Sequence, residues 1–306
     1  MQVGMVGLGR MGANMAARLV RGGHDVVVYD LADAAVAAAA GQGAQPAASL
    51  VDLAHRLAPP PVVWLMVPAG DPTEQTLLAL ADAMEGGDTL VDGGTSNYRD
   101  TQRRASVLEQ RGLHLVDAGT SGGIWGGSEG YSLMVGGDDD VVGLLRPLLE
   151  TLAPAADRGW GRVGPVGAGH FVKMIHNGIE YGMMQALAEG FAVLHAKRDM
   201  DLDLHQIAGI WRHGSVVRSW LLDLAENALH ANPMLDDIAP WVADSGEGRW
   251  TVAEAIALDV PAPVMTLALI QRLRSRDNES FSDRLLAALR QQFGGHAVRS
   301  GDEPGS

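Results

Sequence analysis

A glycine-rich turn close to the N-terminus limits the folds open to this chain more than any other segment. Gly7, Gly9 and Gly12 have the spacing GxGxxG, directly after the apolar segment QVGMVG and at the start of a helical pattern. A second apolar segment, HDVVVYD, then ends at Asp30. A strand, a glycine turn, a helix and a strand with an acidic end form the context in which this spacing marks a dinucleotide site. The sequence therefore predicts an α/β fold that begins with a Rossmann-type, doubly wound sheet.

The same turn predicts the cofactor. Because glycines let the backbone approach closely, the turn amides and the positive end of the helix dipole are expected to bind a pyrophosphate. Asp30 is expected to accept hydrogen bonds from the adenosine ribose, and its charge would repel a 2′-phosphate. Leu31 and Ala32 follow, so neither of the next two residues is an arginine that would receive that phosphate, and NAD is favoured over NADP. The contacts predicted here are Gly7, Leu8, Gly9, Arg10, Met11, Gly12 and Asp30.

Later apolar segments end in residues suited to ligands. The segment PVVWLMVPAG is broken at Pro68, and doubly wound sheets bind ligands at the carboxyl ends of their strands. The nicotinamide ribose is therefore expected near Met66, Val67 and Pro68, with an ordinary strand-to-helix turn as the alternative. The segments at 89–100 and 114–127 both end in Asp, small residues and hydroxyls, on the same edge if the connections are parallel.

The loop after the second of these segments is suited to an anion. Ser121, Gly122 and Gly123 present backbone amides beside a hydroxyl group, an arrangement that can hold a carboxylate. The alternative is a plain turn.

The segment GAGHFVKMIHNGIEYGMMQ, from Gly167 to Gln185, predicts a helix with one polar face. Spacings of three, four, seven and eight place five polar side chains on that face: Lys173, His176, Asn177, Glu180 and Tyr181. Apolar residues are interleaved with them and continue the pattern, so the helix is expected to be largely buried. A lysine and a carboxylate one helical repeat apart are otherwise a solvated charge pair. In buried surroundings, polar groups need partners and indicate a site.

Composition excludes several classes of function. The chain carries 23 basic and 37 acidic residues, a formal net charge of −14, without a basic tract, which argues against nucleic acid or an anionic membrane surface as a partner. It contains no cysteine, which excludes disulfides and thiolate chemistry. No compact metal-ligand cluster is evident, since His176 and Glu180 are only a pair. Without a cleavable leader or an apolar run of membrane-spanning length, the expected location is cytoplasmic.

The chain length of 306 residues predicts about two domains. The alternation of strands and helices stops near Gly161, and the rest reads as helices. Gly161, Gly164 and Pro165 break the pattern, so the boundary is placed there. The prediction is a Rossmann domain over residues 1–163 and an all-α domain over residues 164–306.

Six segments together resemble the decarboxylating 6-phosphogluconate dehydrogenases, in particular their short-chain form, within the β-hydroxyacid dehydrogenase superfamily. They are GLGRMGANMA, VDGGTSNYRDT, SGGIWGGSEGYSLMVGG, GAGHFVKMIHNGIEYGMMQ, DSGEGRWT and RQQFGGH, and the resemblance that they mark extends over nearly the whole chain. The most specific is the helix motif, because HNGIEYG marks the phosphogluconate branch. The resemblance implies oxidative decarboxylation of 6-phosphogluconate, a sugar-phosphate acid, to ribulose 5-phosphate and carbon dioxide in the pentose phosphate pathway.

The resemblance also implies roles for individual residues. Lys173 is the general base and Glu180 the general acid. The implied substrate contacts are Ser121, Gly122 and Gly123 for the carboxylate, His176 and Asn177 for the sugar acid, and Tyr181 and Arg272 for the phosphate. Arg290 and His296 match a C-terminal motif that reaches into the neighbouring subunit's site. The active form is therefore expected to be a homodimer or homotetramer.

Two positions depart from the family pattern. Thr95 stands where the family has an asparagine near the nicotinamide, so this cofactor contact is shortened. Ser245 stands where the long form has a lysine that contacts the phosphate, which leaves the positive charge to Arg272, Arg290 and Arg249.

The residues themselves suit this chemistry. Lys173 can accept the hydroxyl proton only in its neutral form, which burial or an adjacent nicotinamide cation would favour. Glu180 can then protonate the carbon from which carbon dioxide has left. Two alternatives remain: a β-hydroxyacid dehydrogenase for another substrate such as 3-hydroxyisobutyrate, without decarboxylation, and a non-catalytic dinucleotide-binding regulator. Glu180, Tyr181 and the RQQFGGH segment argue against the first, and the lysine and glutamate on one face argue against the second.

Overall fold

A computed structural model describes the backbone over residues 1–277 and 279–294. The chain divides into two compact units, the first being Met1–Asn177 and the second beginning at Gly178. No helix within the described residues is both long enough and apolar enough to span a bilayer.

The first unit is built on one eight-stranded sheet with the order β3-β2-β1-β4-β5-β6-β7-β8. Its strands are β1 Gln2–Val6, β2 Asp25–Tyr29, β3 Gln45–Pro46, β4 Val62–Leu65, β5 Thr89–Asp92, β6 His114–Ser121, β7 Ser132–Gly136 and β8 Trp160–Gly164. Neighbouring strands are parallel except β6 and β7, which pair antiparallel with Ala118 opposite Val135. The predicted doubly wound sheet is confirmed.

Nine helices connect or follow these strands in the described residues up to 196. They are α1 Arg10–Arg21, α2 Asp33–Ala40, α3 Leu50–Arg56, α4 Asp71–Ala81, α5 Tyr98–Glu109, α6 Gly126–Glu129, α7 Asp139–Leu144, α8 Arg146–Leu152 and α9 Ala168–Ala196, which continues into the second unit. The helices cover both faces of the sheet. Along β2, Val26 and Val28 pack in one apolar cluster with Met15 of α1, whereas Val27 packs in another with Leu53 of α3. Alternate residues of a strand point to opposite faces, which explains this division.

The strand β8 occupies the residues at which the sequence predicts the helical part to begin. Gly161 and Gly164, interpreted as breaks in the pattern, lie within this strand, which pairs with β7 at an irregular register. An edge strand tolerates glycine because it has a neighbour on one side only. The first unit continues through the start of α9 to Asn177. The predicted domain boundary after residue 163 stays a prediction.

The second unit is helical wherever it has regular structure in the described residues. After α9 come α10 Leu204–Trp211, α11 Trp220–Ala231, α12 Glu247–Ala257, α13 Pro263–Arg274 and α14 Phe281–Gly294. Its buried apolar residues form two small clusters, one joining α10 to α11 and one joining α9 to α13. The all-α character predicted for the C-terminal part is confirmed.

The helix α9 covers the predicted segment, but the prediction that it is largely buried holds only for its first half. Lys173, Met174 and Tyr181 are buried, whereas Met183 and Val193 are exposed. Leu187 and Phe191 in the second half pack against the cluster of α10 and α11, whereas Met183 and Val193 stay exposed within the described chain.

Candidate active site

A cavity of about 1050 Å³ opens in the first unit at the carboxyl ends of the parallel strands. Its lining includes every predicted cofactor contact except Leu8: Gly7, Gly9, Arg10, Met11, Gly12, Asp30, Met66, Val67, Pro68 and Thr95. Leu8 is itself buried in the core beneath the turn. Residues as far apart in the sequence as Val6 and Thr120 thus line one cavity, because parallel strands end at the same edge of the sheet.

The glycine turn has a geometry that only glycine permits. Gly7 has φ +90°, and a Cβ atom there would lie 2.5 Å from the carbonyl oxygen of Met66. A Cβ on Gly12 would lie 2.0 Å from the carbonyl oxygen of Gly7. Gly9 is the N-cap of α1 and has no side chain to occupy the first amides of that helix. Free amides at a helix N-terminus can bind an anion, which fits the pyrophosphate of a dinucleotide.

Asp30, the predicted ribose contact, also holds the glycine turn in place. Its Oδ2 accepts a hydrogen bond from the backbone N of Leu8 at 2.6 Å, and its Oδ1 accepts one from that of Ala32 at 2.8 Å. Each carboxylate oxygen has a second lone pair, so both can also accept from ribose hydroxyls. Leu31 beside it is 92% exposed and brings no charge. The residues present therefore fit a dinucleotide with free ribose hydroxyls.

The helix α9 begins in direct backbone contact with β6. A Cβ on Gly119 of β6 would lie 2.5 Å from Lys173 Cβ and 2.5 Å from the carbonyl oxygen of Gly169. Since Gly119 has no side chain, the lysine is held against the carboxyl end of β6, two residues before Ser121. This placement brings the predicted base close to the predicted carboxylate loop.

Lys173 is 9% exposed and belongs to a polar cluster. Its Nζ lies 3.3 Å from Nδ1 of His176, and the same Nδ1 lies 3.1 Å from Oδ1 of Asn177. His176 Nδ1 can accept from a protonated lysine or, in the other tautomer, donate to the asparagine. The structure thus brings three of the five predicted polar residues into contact.

Asp117 fixes the start of α9, a role that the sequence analysis missed. This buried carboxylate in β6 accepts hydrogen bonds from the backbone N of Gly167 at 2.6 Å and of His170 at 2.7 Å. The ring Nδ1 of His170 lies 2.7 Å from Oγ1 of Thr101, which links the helix to α5. Burial raises the pKa of Asp117, while His170 and the two amides act in the opposite direction. An acidic residue inside an apolar strand was the available signal.

The predicted carboxylate loop follows β6 immediately. Ser121 is the last residue of the strand, and Gly122 and Gly123 have φ angles of +139° and +52°. Two successive positive φ angles turn the backbone sharply, which L-residues with side chains rarely allow. Ser121 and Gly122 are partly buried, and Gly123 is exposed.

In the second unit, Tyr181 and Arg272 are in contact. The guanidinium carbon of Arg272 lies 3.4 Å from the centre of the Tyr181 ring, and the tyrosine hydroxyl lies 3.4 Å from Oγ of Ser245. Oγ of Ser245 also donates to Glu247, a buried carboxylate that the sequence analysis did not single out. Arg272 Nη1 donates to the carbonyl oxygen of Ala243 at 2.9 Å. The predicted phosphate residues Tyr181 and Arg272 are therefore brought together beside the segment DSGEGRWT.

Arg249 does not supply free positive charge to this group as expected. Its Nε donates to Asp244, and Arg276 lies 3.4 Å from the same carboxylate. Burial raises the pKa of Asp244, but the hydrogen bonds from Arg249, Arg276 and the Gly246 amide outweigh it and hold this pKa below its ordinary value. Arg249 therefore neutralises Asp244.

Of the three predicted residues that remain, two belong to the described part of the chain. Glu180 is partly buried on α9, at the start of the second unit. Arg290 is exposed on α14, and His296 lies outside the described residues. Across residues 1–277 and 279–294, no group of three or more acidic, histidine or cysteine side chains is arranged to hold a metal ion.

Two family models cover most of the chain. Residues 2–161 match the NAD binding domain of 6-phosphogluconate dehydrogenase, and residues 169–284 match the 6-phosphogluconate dehydrogenase C-terminal domain. The chain belongs to the 6-phosphogluconate dehydrogenase family. Its first unit accordingly carries the NAD-binding domain of that family.

Individual members of this family show the extent of the similarity. An NAD(+)-dependent, decarboxylating 6-phosphogluconate dehydrogenase of Haloferax volcanii is 45% identical over 304 residues, which are 99% of this chain and 100% of that protein. The decarboxylating enzyme of Bacillus licheniformis is 36% identical, but the match spans only 64% of its length. The structure of Plasmodium falciparum 6-phosphogluconate dehydrogenase superposes with a TM-score of 0.83 at 25% identity, covering 99% of this chain and 67% of that one.

Proposed function

We propose that this chain catalyses the oxidative decarboxylation of 6-phosphogluconate to ribulose 5-phosphate and carbon dioxide, with NAD favoured over NADP as the acceptor. The observation that carries the proposal is the position of Lys173. This buried lysine contacts His176 and lies against Gly119, in a strand whose next residue, Thr120, lines the dinucleotide cavity. A base, a carboxylate-binding loop and a cofactor cavity therefore lie within one unit.

The oxidation step requires a base at the substrate's 3-hydroxyl group. When bound, NAD supplies the hydride acceptor. Neutral Lys173 takes the hydroxyl proton, and its burial favours the neutral form. Lys173 and Asn177 both approach Nδ1 of His176, which limits the positions open to the lysine. The backbone amides of the carboxylate loop orient the substrate so that its 3-carbon faces the cavity.

The decarboxylation step uses the same lysine in its protonated form. The substrate is now a 3-keto acid, and protonated Lys173 transfers its proton to the ketone oxygen as carbon dioxide leaves, which gives an enediol. Glu180 then donates a proton to the carbon of the enediol while Lys173 takes back the proton of the enol hydroxyl, and Lys173 releases that proton to water before the next turnover. The partly buried position of Glu180 allows it to regain a proton from water between turnovers.

The phosphate of the substrate is assigned to the cluster around Arg272. The guanidinium is stacked on Tyr181, which fixes its plane and leaves donors for phosphate oxygens. Arg290 and His296 are proposed to add charge from a neighbouring subunit.

A second subunit is also supported by exposed apolar residues on two helices of the second unit. They are Val264, Leu267 and Ile270 on α13, and Phe281, Leu285, Leu286 and Leu289 on α14. An apolar surface of this extent marks an interaction surface. We therefore propose a homodimer or homotetramer. We also propose that it acts in the pentose phosphate pathway and in the cytoplasm.

The test is an assay of reduced-nicotinamide absorbance with 6-phosphogluconate, with NAD and NADP compared side by side. We expect turnover with NAD and little with NADP, and release of one carbon dioxide for each NADH formed. Turnover mainly with NADP would refute the role of Asp30. Oxidation of 3-hydroxyisobutyrate without turnover of 6-phosphogluconate would refute the proposed substrate.

Truncation before Arg290 tests the proposed role of the C-terminal segment. We expect the KM for 6-phosphogluconate to rise at least about tenfold, because a phosphate contact is lost, while the Kd for NADH changes little. An equal loss of affinity for both ligands would contradict this role. The oligomeric state, measured by sedimentation, is needed as the control for loss of assembly.

A further inference from the structure

A buried arginine on α5 joins the two loops that form one side of the dinucleotide cavity. Arg104 is 3% exposed and donates from Nη2 to the carbonyl oxygen of Gly70 at 3.0 Å, in the loop between β4 and α4. Its Nη1 lies 3.3 Å from Oγ of Ser96, in the loop between β5 and α5. Its Nε donates to Glu74 of α4 at 2.8 Å. One side chain therefore ties together segments that are 26 residues apart.

The loop after β5 is held by a second buried group. Asp92 is fully buried and accepts hydrogen bonds from Ser96 Oγ at 2.7 Å and from the backbone N of Gly94 at 3.1 Å. The same carboxylate lies 3.7 Å from Nη1 of Arg104. The shape of the loop that carries Thr95 thus depends on a charge pair, and we call Arg104, Asp92, Ser96 and Glu74 the loop clamp.

Both clamped loops line the cavity, whereas Arg104 does not. The first loop contributes Val67, Pro68 and Ala69, and the second contributes Gly93, Gly94 and Thr95. The glycine turn and Asp30, which fit the pyrophosphate and the adenosine ribose, belong to other segments. The loop clamp therefore acts on the end of the cavity that is left for the nicotinamide.

We propose that Arg104 is a positioning residue for the nicotinamide half of the dinucleotide. It fixes the distance between two loops through a planar set of donors, which a lysine cannot reproduce because it has a single ammonium group. The inference rests on one part of the proposed function, namely that NAD binds in this cavity.

The neighbouring residue provides a matched control. Arg103 also forms hydrogen bonds with Glu74, at 2.7 Å to each carboxylate oxygen, but its side chain is 53% exposed. Arg103 forms ion pairs with Glu74 and Asp100, both of which lie in helices. Replacing either arginine by lysine keeps the charge, and only Arg104→Lys removes donors from the cavity loops.

The test compares two ligands that differ in the nicotinamide. The Kd values of NADH and of ADP-ribose, which lacks the nicotinamide, are measured by calorimetry. The proteins compared are the full-length wild type and the full-length variants Arg104→Lys and Arg103→Lys. For Arg104→Lys we expect NADH affinity to fall about tenfold while ADP-ribose affinity stays within about twofold, because only one half of the site is displaced. Arg103→Lys should leave both within about twofold, since its ion pair is exposed. If Arg104→Lys lowers the affinity for both ligands equally, or lowers neither affinity, the proposal is overturned.

A second variant keeps the proposal testable if Arg104→Lys does not fold. Ser96→Ala retains the buried charge pair and removes the two hydrogen bonds of the Ser96 hydroxyl, to Arg104 and to Asp92, and it should weaken the binding of NADH more than that of ADP-ribose. Equal effects on the two ligands would again overturn the positioning role. The outcome is separable from the proposed activity: a wild-type chain that binds NADH without turning over 6-phosphogluconate refutes the activity alone.

Discussion

The two units differ in how their functional residues are supported. In the first unit, the cavity and Lys173 rest on a sheet whose two faces are both covered by apolar clusters. In the second unit, Tyr181 belongs to one of two small apolar clusters, while many apolar side chains on α13 and α14 are exposed. The comparison teaches that the cofactor cavity is lined by residues of a unit with a well-covered core, whereas α13, which carries Arg272, exposes apolar side chains.

The largest expected effect tests the first unit. Lys173→Met removes the base while keeping an unbranched side chain of similar length, so kcat should fall by about 10³ to 10⁴. NADH binding should change little, because the glycine turn is untouched. Single-turnover absorbance and calorimetry measure the two quantities. A kcat within tenfold of the wild type would contradict the assignment of Lys173 as the base.

Glu180→Gln tests the proton donor that lies in the second unit. The amide cannot donate a proton at the required acidity, and we expect kcat to fall by about 10² to 10³. Near-normal turnover of 6-phosphogluconate would eliminate Glu180 as the general acid. The melting temperature serves as the control, and it should move little because the substitution is isosteric.

A smaller effect is expected at the phosphate cluster. Arg272→Lys loses the planar group that stacks on Tyr181, so the KM for 6-phosphogluconate should rise about ten- to thirtyfold with a small change in kcat. Arg274→Lys is the matched control, because Arg274 lies two residues on and is paired with Asp283 at an exposed site. Equal KM values for the two variants would contradict the phosphate role.

The smallest effect concerns stability and pH in the first unit. Hydrogen bonds from Arg103 lower the pKa of Glu74 to about 2; burial opposes this shift and Arg104 adds to it. Because the folded pKa is below the unfolded value, the contribution to stability is present above about pH 4.5 and is lost as the pH falls towards 2. Solvent screening reduces it to about 1 kcal/mol. The free energy of unfolding should therefore fall between pH 5 and pH 3 by more in the wild type than in Glu74→Gln, as measured by urea denaturation.

Sequence patterns were sufficient where the relevant residues are close along the chain. The spacing of Gly7, Gly12 and Asp30 predicts a glycine turn after one strand and an acidic residue at the end of the next strand. The structure has both. The helical spacing of Lys173 and His176 likewise predicted neighbours on α9. These predictions needed only local geometry.

The contacts that sequence patterns did not reveal connect distant segments. Arg104 meets Glu74 across 30 residues, and Asp117 meets the backbone of His170 across 53. Such pairs follow from the order of the strands, which spacing along the chain does not encode. The strand β8 was missed for a related reason: its glycines suggest a break, and only pairing with β7 stabilises them as a strand.

Gly119 sets a limit on how this enzyme can diversify. At this position the sheet and the helix carrying the base touch main chain to main chain, so even an added methyl group would displace the lysine. Random mutagenesis should therefore recover viable variants at the exposed Leu31 but return inactive clones for every replacement of Gly119. Variation that keeps activity is thus expected at the rim of the cavity and not at the contact between Gly119 and α9.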